Sequence, residues 1–535
     1  MTRWQWDIPE YFNIAQACIE HSNRQGYANK QAIVVDDDVQ GVFSLTYAEL
    51  AAQVKAFADR IKRGITEKGD RILIQLPNCL AYPVGFLGAL YAGRIAVPAS
   101  MMLTQEELIY LLNDSGARVA VLSRELMPHL AKMAEACPKL QSVIWVCGMS
   151  ATSDTFLEYP KVEMTQTRWE EVVRSTDEPL PFEPTKAMDP AYLVYTSGTT
   201  GYPKGLLHAH RALLGRMPAS RYWFHFEGES DRILHSGKFN WTYVLGTALM
   251  DPLSQGKTVI VYEGNPHAEL WPKLIVRHQC TIFIGVPTLF RQLLQKTPAC
   301  GEDVPSLRHC MSAGEHLSDE VMMLWKKRFG LDIYEAVGMS ECSYYLSHHV
   351  GIPIRPGAAG MPQPGHDIVL MSEDMRRVTI GEEGMICIPL TDPGLFLEYW
   401  QLPEETLMTR KQGYFLTGDY ARVDEDGYYW FLGRRDDLIN SFGYRVSPVE
   451  VERILKSHPY VADCAVVGEK VEKDKVLITA CVILHEEARI SAEALIEFAA
   501  QHLAKYKLPK KIRFMETFPR TKNGKVLRRA LVSSQ

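Results

Sequence analysis

One pattern recurs through the first half of the chain. A short apolar run rich in β-branched residues is followed by a longer stretch of helical periodicity. The runs fall at 71–76, 118–122, 143–146, 192–195, 258–262 and 281–285. A chain that alternates in this way has few choices, because each helix must cross back over a sheet to place the next strand parallel to the last. The expected class is therefore α/β, with βαβ units packed on largely parallel sheets. Two helix starts are written out as capping boxes, Thr46-Tyr-Ala-Glu49 and Thr104-Gln-Glu-Glu107. In each, the Thr hydroxyl and the Glu carboxylate satisfy each other's backbone N–H groups.

The rhythm breaks after residue 350. From 351 to 433 short strands punctuated by Gly and Pro predict a β-rich subdomain. A compact unit follows, with strand patterns at 462–467 and 477–484, an amphipathic helix over 492–503 and a basic tail. The expected organisation is a large N-terminal domain, 1–435, and a small mobile α+β domain, 436–535. A chain of 535 residues, 46% of them hydrophobic, exceeds what one core organises, in keeping with that division.

Charge and cysteine content narrow the function classes. A net charge of −6 lacks the basic excess of a nucleic-acid-binding protein. The 11 cysteines include no Cys-x-x-Cys pair, so neither a zinc ribbon nor a disulfide framework is expected, and reduced, buried thiols in a cytoplasmic protein are. The opening residues lack the basic start and apolar stretch that mark a secretion signal, so none is expected. The most apolar region, 79–97, is interrupted by Pro83, Gly85, Gly88, Gly93 and Arg94, and reads as a buried helix with its flanks. No membrane span is predicted, and the sequence carries no signal for oligomeric state.

Chemistry enters at Tyr195-Thr-Ser-Gly-Thr-Thr-Gly-Tyr-Pro-Lys-Gly205, directly after the run at 192–195. Glycines let the backbone approach phosphate oxygens closely, the Ser and Thr hydroxyls add donors, and Lys204 adds a point charge. Pro203 stands where a P-loop NTPase requires its second glycine, so this is a different phosphate loop.

The loop resembles that of the adenylate-forming superfamily, which comprises acyl- and aryl-CoA synthetases, nonribosomal adenylation domains and luciferases. Further motifs of that family follow in order. Met339-Ser-Glu341 is similar to its Thr-Glu pair, which implies that Ser340 lies at ATP and that Glu341 ligates Mg²⁺. Ser312-Ala-Gly-Glu-His316 resembles the adenine-lining segment, with Gly314 and Glu315 against the base. Thr417-Gly-Asp419 resembles the ribose-binding segment. Gly433-Arg-Arg-Asp-Asp437 with Gly443-Tyr-Arg445 implies Arg434 near the ribose, Arg445 near the phosphates, and Asp436 as an interdomain hinge. Pro519-Arg-Thr-Lys-Asn-Gly-Lys525 implies Lys525 as the catalytic lysine of adenylation. The ATP site so implied comprises Thr196, Ser197, Gly198, Thr199, Thr200, Gly201, Lys204, Gly314, Glu315, Ser340, Asp419, Arg434 and Arg445. Lys204, Arg445 and Lys525 act on the reacting groups.

The resemblance implies a carboxylate–CoA ligase using ATP, Mg²⁺ and coenzyme A. An acyl-adenylate forms first; the small domain then turns, and Gly443 and Tyr444 line a passage for the CoA thiol. The acid pocket is expected among Trp241, Thr242, Tyr243, Val244, Gly338 and Met339. Gly338 falls where acetate-specific members carry a Trp, so a deeper pocket is expected. Val337 and the residues 242–244 resemble benzoate-CoA ligases, whereas 437–445 is similar to medium-chain acyl-CoA synthetases. The expected acid is therefore an aryl or medium-length acyl acid. Two alternatives stand beside this: an adenylation enzyme that loads a carrier protein, and a non-catalytic nucleotide-binding protein of the same fold.

Overall fold

The computed structural model describes residues 4–64, 66–148, 161–174, 180–196, 203–315, 317–434, 439–441, 444–472, 475–520 and 526–532. Two large sheets organise the first 400 residues. One has nine strands in the order Met361–Pro362, Tyr344–Ser347, Ile333–Gly338, His309–Ala313, Ile282–Gly285, Arg232–His235, Thr258–Glu263, Gln31–Asp37, Gly41–Thr46. Its six inner strands are parallel and its margins antiparallel. The other has eight, in the order Glu398–Tyr399, Lys204–Ala209, Pro190–Thr196, Ile95–Pro98, Arg71–Gln75, Val119–Ser123, Ser142–Val146, Thr165–Arg168. The predicted strands of both sheets are present, within a residue or two of their expected limits.

Both faces of each sheet are covered, which is why the strands read as nearly unbroken apolar runs. Ile72 and Ile74 point into a central core that also takes Ile33 and Val35 from the opposing sheet. Leu73, between them, points to an outer core with Val97 and Leu112. The helix Ala81–Tyr91 lies in the central core with ten of its eleven residues buried, as its apolar composition predicts. Both capping boxes form: Thr46 Oγ1 accepts from the Glu49 N–H at 3.2 Å, and Thr104 Oγ1 from the Glu107 N–H at 3.3 Å. They open the helices Tyr47–Arg63 and Gln105–Ser115.

The β-rich region is a five-stranded antiparallel sheet centred on Glu383–Pro389 and Tyr414–Val423. Beyond it, Val461–Glu472, Lys475–Leu484 and Lys511–Phe514 form a three-stranded sheet with the helices Pro448–Lys456 and Ala492–Ala500. The helix expected over 492–503 thus stops three residues early. The basic tail is not simply a solvated face: Lys507 pairs with Glu450 at 2.7 Å, Lys511 with Glu469 at 3.0 Å, Arg520 with Asp463 at 2.9 Å and Arg528 with Glu452 at 2.7 Å. All 11 cysteines are unpaired, nine of them buried. Among the described residues, no helix is long and apolar enough to cross a membrane.

Candidate active site

Three of the expected site segments begin where strands with parallel neighbours end, the usual place for ligands in open α/β sheets. The strand Pro190–Thr196 runs into the phosphate loop, and the strand Lys204–Ala209 returns antiparallel to it, with Thr196 opposite Lys204. This hairpin fixes both ends of the loop. Ser197, Gly198, Thr199, Thr200 and Gly201 lie outside the described residues, as do His316, Asp436, Gly443 and Lys525. Tyr444 and Arg445 stand on the short strand Tyr444–Val446, paired with Ile439–Ser441.

Lys204 is half-buried, and its ammonium pairs with the Glu405 carboxylate on the short helix Pro403–Met408. The lysine expected to meet phosphate is thus neutralised by a carboxylate from 201 positions away in sequence.

From the nine-stranded sheet, His309–Ala313 leads to Gly314 and Glu315, and the neighbouring parallel strand Ile333–Gly338 leads to Met339, Ser340 and Glu341. Met339 N–H closes a turn on the Cys342 carbonyl at 3.0 Å, and Phe396 N–H holds the Glu341 carbonyl at 2.7 Å. The Tyr399 hydroxyl donates to Glu341 Oε1 at 2.8 Å, and the other carboxylate oxygen has no protein hydrogen bond among the described residues. Burial and the neighbouring Glu341 raise the Tyr399 pKa, so its proton stays in place. A half-buried carboxylate with one oxygen held and one open suits a hard cation whose remaining ligands are phosphate and water. Among the described residues no cluster of three or more His, Cys, Asp or Glu offers a metal site of its own.

Asp419 lies on Tyr414–Val423 directly across from Arg434, with Arg434 Nε 3.4 Å from Asp419 Oδ1. Thr417 shapes the approach: its hydroxyl donates to the Ile386 carbonyl at 2.8 Å and accepts from the Asp419 N–H at 3.0 Å. The two residues expected at the ribose are thus brought together.

Of the residues expected at the acid pocket, Trp241 lies against both Gly314 and Tyr243. Gly314 has φ +97°, and a Cβ there would stand 3.3 Å from Trp241 Cη2, so the indole covers the end of the expected adenine segment. Tyr243 meets Trp241 edge to face, ring centroids 5.3 Å apart, and His235 at 5.2 Å. Its buried hydroxyl has no hydrogen-bond partner among the described residues. His235 Nδ1 accepts from the Gly237 N–H at 2.9 Å, so its Nε2–H donates to Thr247 Oγ1, also at 2.9 Å. Thr247 in turn donates to the Tyr243 carbonyl at 2.7 Å, on the π-helical turn Leu245–Met250. Thr242 and Met339 are half-buried, whereas Val244 is wholly buried in the central core and packs there.

Gly338 has a backbone reason to be glycine beyond the space it leaves. A Cβ would lie 2.4 Å from the Ser343 carbonyl oxygen and 2.8 Å from Tyr344 Cα, across a bulged pairing of Ile333–Gly338 with Tyr344–Ser347.

Sequence reasoning missed three residues at this site: Glu405, Tyr399 and His208, whose Nε2 lies 2.8 Å from the Ser340 carbonyl oxygen. No motif carries them, because each partner is set by sheet assembly. Of the three, Tyr399 alone has a local signal, the apolar run Leu395-Phe396-Leu397 just before it, from which an edge strand could have been read.

Comparison with known proteins shows the family to which the chain belongs. Residues 20–400 match the AMP-binding enzyme family, and residues 450–525 its C-terminal domain. The chain is 33% identical to a benzoate–CoA ligase of Thauera aromatica, covering 98% of this chain and 97% of that one. It is 30% identical to the mitochondrial acyl-coenzyme A synthetase ACSM3 of Mus musculus, covering 98% and 91%. Among solved structures it resembles the anthranilate CoA ligase AuaEII in complex with anthranoyl-AMP, with TM-score 0.85, 28% identity and coverage of 98% and 97%. A benzoate CoA ligase from Burkholderia xenovorans LB400 gives TM-score 0.83, 31% identity and coverage of 98% and 100%.

Proposed function

The chain belongs to the family of AMP-binding enzymes and is an AMP-forming acid–thiol ligase, and from that premise we propose that it activates an aromatic or medium-length carboxylic acid. The observation that carries this choice is the aromatic wall beside the expected adenine segment: Trp241 over Gly314, Tyr243 edge-on to it, and the Tyr243 hydroxyl buried without a partner among the described residues. Flat apolar walls with a few polar groups are how small-molecule sites fix orientation. Relatives named for benzoate and anthranilate support an aryl acid, and ACSM3 supports an acyl one.

In the first step the carboxylate oxygen attacks the α-phosphorus and pyrophosphate leaves. Two anions must meet, so the barrier is largely electrostatic. Lys204, Arg445 and Lys525 offset that charge, Asp419 and Arg434 orient the ribose, and Thr196 with the loop 197–201 surrounds the phosphates. Glu341 would hold Mg²⁺, and the bound ion would supply further positive charge to the phosphates. In the second step the 436–535 domain turns about Asp436, withdrawing Lys525, and the CoA thiol enters past Gly443 and Tyr444. The sulfur attacks the mixed anhydride, the thiol proton is lost and AMP leaves.

The test is ATP–pyrophosphate exchange over aliphatic, aromatic and alicyclic acids, followed by thioester formation with and without CoA. Exchange with acetate alone would sink the substrate assignment. Lys525→Ala should lose at least a hundredfold in exchange, about 3 kcal/mol, while thioester formation from supplied acyl-adenylate persists. Equal loss in both half-reactions would sink the two-conformation scheme.

A further inference from the structure

His208 is a buried polar side chain that the proposed chemistry does not use. It stands on Lys204–Ala209, four residues after Lys204 and on the same face of the strand. Its ring stacks on Tyr192, its register partner on Pro190–Thr196, with centroids 4.7 Å apart and 11° between planes. Tyr192 is itself anchored: its hydroxyl receives Arg216 Nη1 at 3.3 Å, and Arg216 Nε donates to Asp251 Oδ1 at 2.8 Å within the core. The imidazole is therefore fixed in plane and direction. A carbonyl oxygen only accepts, so the 2.8 Å contact with Ser340 places the ring proton on Nε2. Nδ1 is buried and has no hydrogen-bond partner among the described residues. Burial pushes the His208 pKa down to about 3, which keeps this neutral form throughout the working range.

We propose that His208 is a positioning residue for adenylation: its Nε2–H holds the Ser340 carbonyl and thereby sets the Ser340–Glu341 segment relative to the strand that carries Lys204. The inference rests on the reading of Glu341 as metal ligand and Lys204 as phosphate ligand. Among the described residues, hydrogen bonds hold the segment at three places, and two of those places trace to the strand Lys204–Ala209. One is the His208 ring. The other is indirect, since Glu398 and Tyr399 pair with Leu207 and Leu206 while Phe396 N–H and the Tyr399 hydroxyl grip Glu341. The third is the turn from Met339 to Cys342. Among the described residues, the Ser340 carbonyl accepts from His208 alone. An apolar side chain of similar volume would pack on Tyr192 without burying a bare nitrogen. The imidazole is the choice that also delivers a donor across the gap between the two sheets.

The experiment compares His208→Leu, His208→Gln and Glu341→Gln in the full-length enzyme. Pyrophosphate exchange is titrated with Mg²⁺ and with ATP, thioester formation is measured from chemically supplied acyl-adenylate, and melting temperatures are recorded. His208→Leu should raise the Mg²⁺ needed for half-maximal exchange and the KM for ATP at least fivefold, and lower exchange kcat at least tenfold. The KM for the acid and the thioester-forming rate should stay within twofold of wild type. The amide N–H of His208→Gln should recover at least half of the loss on a logarithmic scale. Equal loss in both half-reactions, or no recovery by Gln, would make His208 merely structural and overturn the inference. If Glu341→Gln shifts the Mg²⁺ titration and His208→Leu does not, the positioning role alone falls. If neither shifts it, the metal reading fails first and takes this inference with it. Should His208→Leu not fold, His208→Phe keeps a ring on Tyr192, removes the donor and carries the same comparison.

Discussion

Replacing Gly338 by alanine separates two accounts of that position, an open wall of the acid pocket or a point where two strands touch. The new Cβ would sit 2.4 Å from the Ser343 carbonyl oxygen, 2.7 Å from its carbon and 2.8 Å from Tyr344 Cα, where 3.4 Å begins ordinary contact. The shortfall is 3.4 − 2.4, or 1.0 Å, against backbone that has no rotamer to escape into. The strands must part, and what lies between them is the turn holding Ser340 and Glu341. Forced overpacking costs about 1–3 kcal/mol, a fall of a few degrees in melting temperature, and a shift of about 1 Å in reacting groups can cost roughly a hundredfold in rate. Gly338→Ala should therefore lower kcat/KM for ATP in pyrophosphate exchange by ten- to a hundredfold, and by similar factors for small and large acids alike. Calorimetry and exchange kinetics on one preparation decide the matter. A variant that melts with wild type, keeps its ATP kinetics and discriminates only against large acids would refute the strand-contact account. Gly338→Trp meets the same backbone, so it cannot serve as a simple plug for the pocket.

Glu405→Gln should lower the KM for ATP by up to about fivefold, the ~1 kcal/mol worth of a partly exposed ion pair, because phosphate no longer competes with a carboxylate for Lys204; a raised KM would mean instead that Glu405 presents the lysine. Either Arg216→Met or Asp251→Asn should cost about 3–5 kcal/mol in denaturant melts, since each leaves a buried partner uncompensated, and a cost below about 1 kcal/mol would contradict their burial. Stability should fall on acidification: burial lowers His208, His210 and His235 from 6.5 to about 3 and His309 to about 4. The unfolded chain therefore takes up protons below pH 6.5 that the folded chain refuses, at up to about 2 kcal/mol per histidine between pH 7 and 5. Melts at pH 7, 6 and 5 that coincide would show these rings to be accessible.

What the sequence discloses and what it hides divide along a physical line. Strands such as Arg71–Gln75 and helix starts at Thr46 and Thr104 are visible because hydrophobic period and capping are local. The segments ending in Lys204, Glu341 and Asp419 are visible because each motif is contiguous. The partners of those residues are not. Lys204 meets Glu405, Glu341 meets Tyr399, and His208 meets Ser340 132 positions on, each only once separate strands lie side by side. Gly338 shows the same divide: the absent side chain reads as space in the sequence, and the backbone it also makes room for comes into view only once the strands are paired. Likewise the resemblance places Val244 at the acid, while its complete burial in the central core is seen only in the fold.

The two-residue strand Glu398–Tyr399 completes the margin of the eight-stranded sheet by pairing with Leu206 and Leu207, flanked by Leu397 N–H on the Leu207 carbonyl at 2.7 Å and Trp400 N–H on the Gly205 carbonyl at 2.8 Å. During synthesis nearly two hundred residues separate the emergence of these partners. Until the later one arrives, the strand bearing Lys204 is a bare row of backbone donors and acceptors, the kind of template on which other chains pair. A nascent chain stopped before residue 397 would carry that open margin permanently. The same short strand that steadies Glu341 in the finished enzyme is thus what closes the sheet to strangers, and truncations between 350 and 397 should be recovered mainly as aggregates.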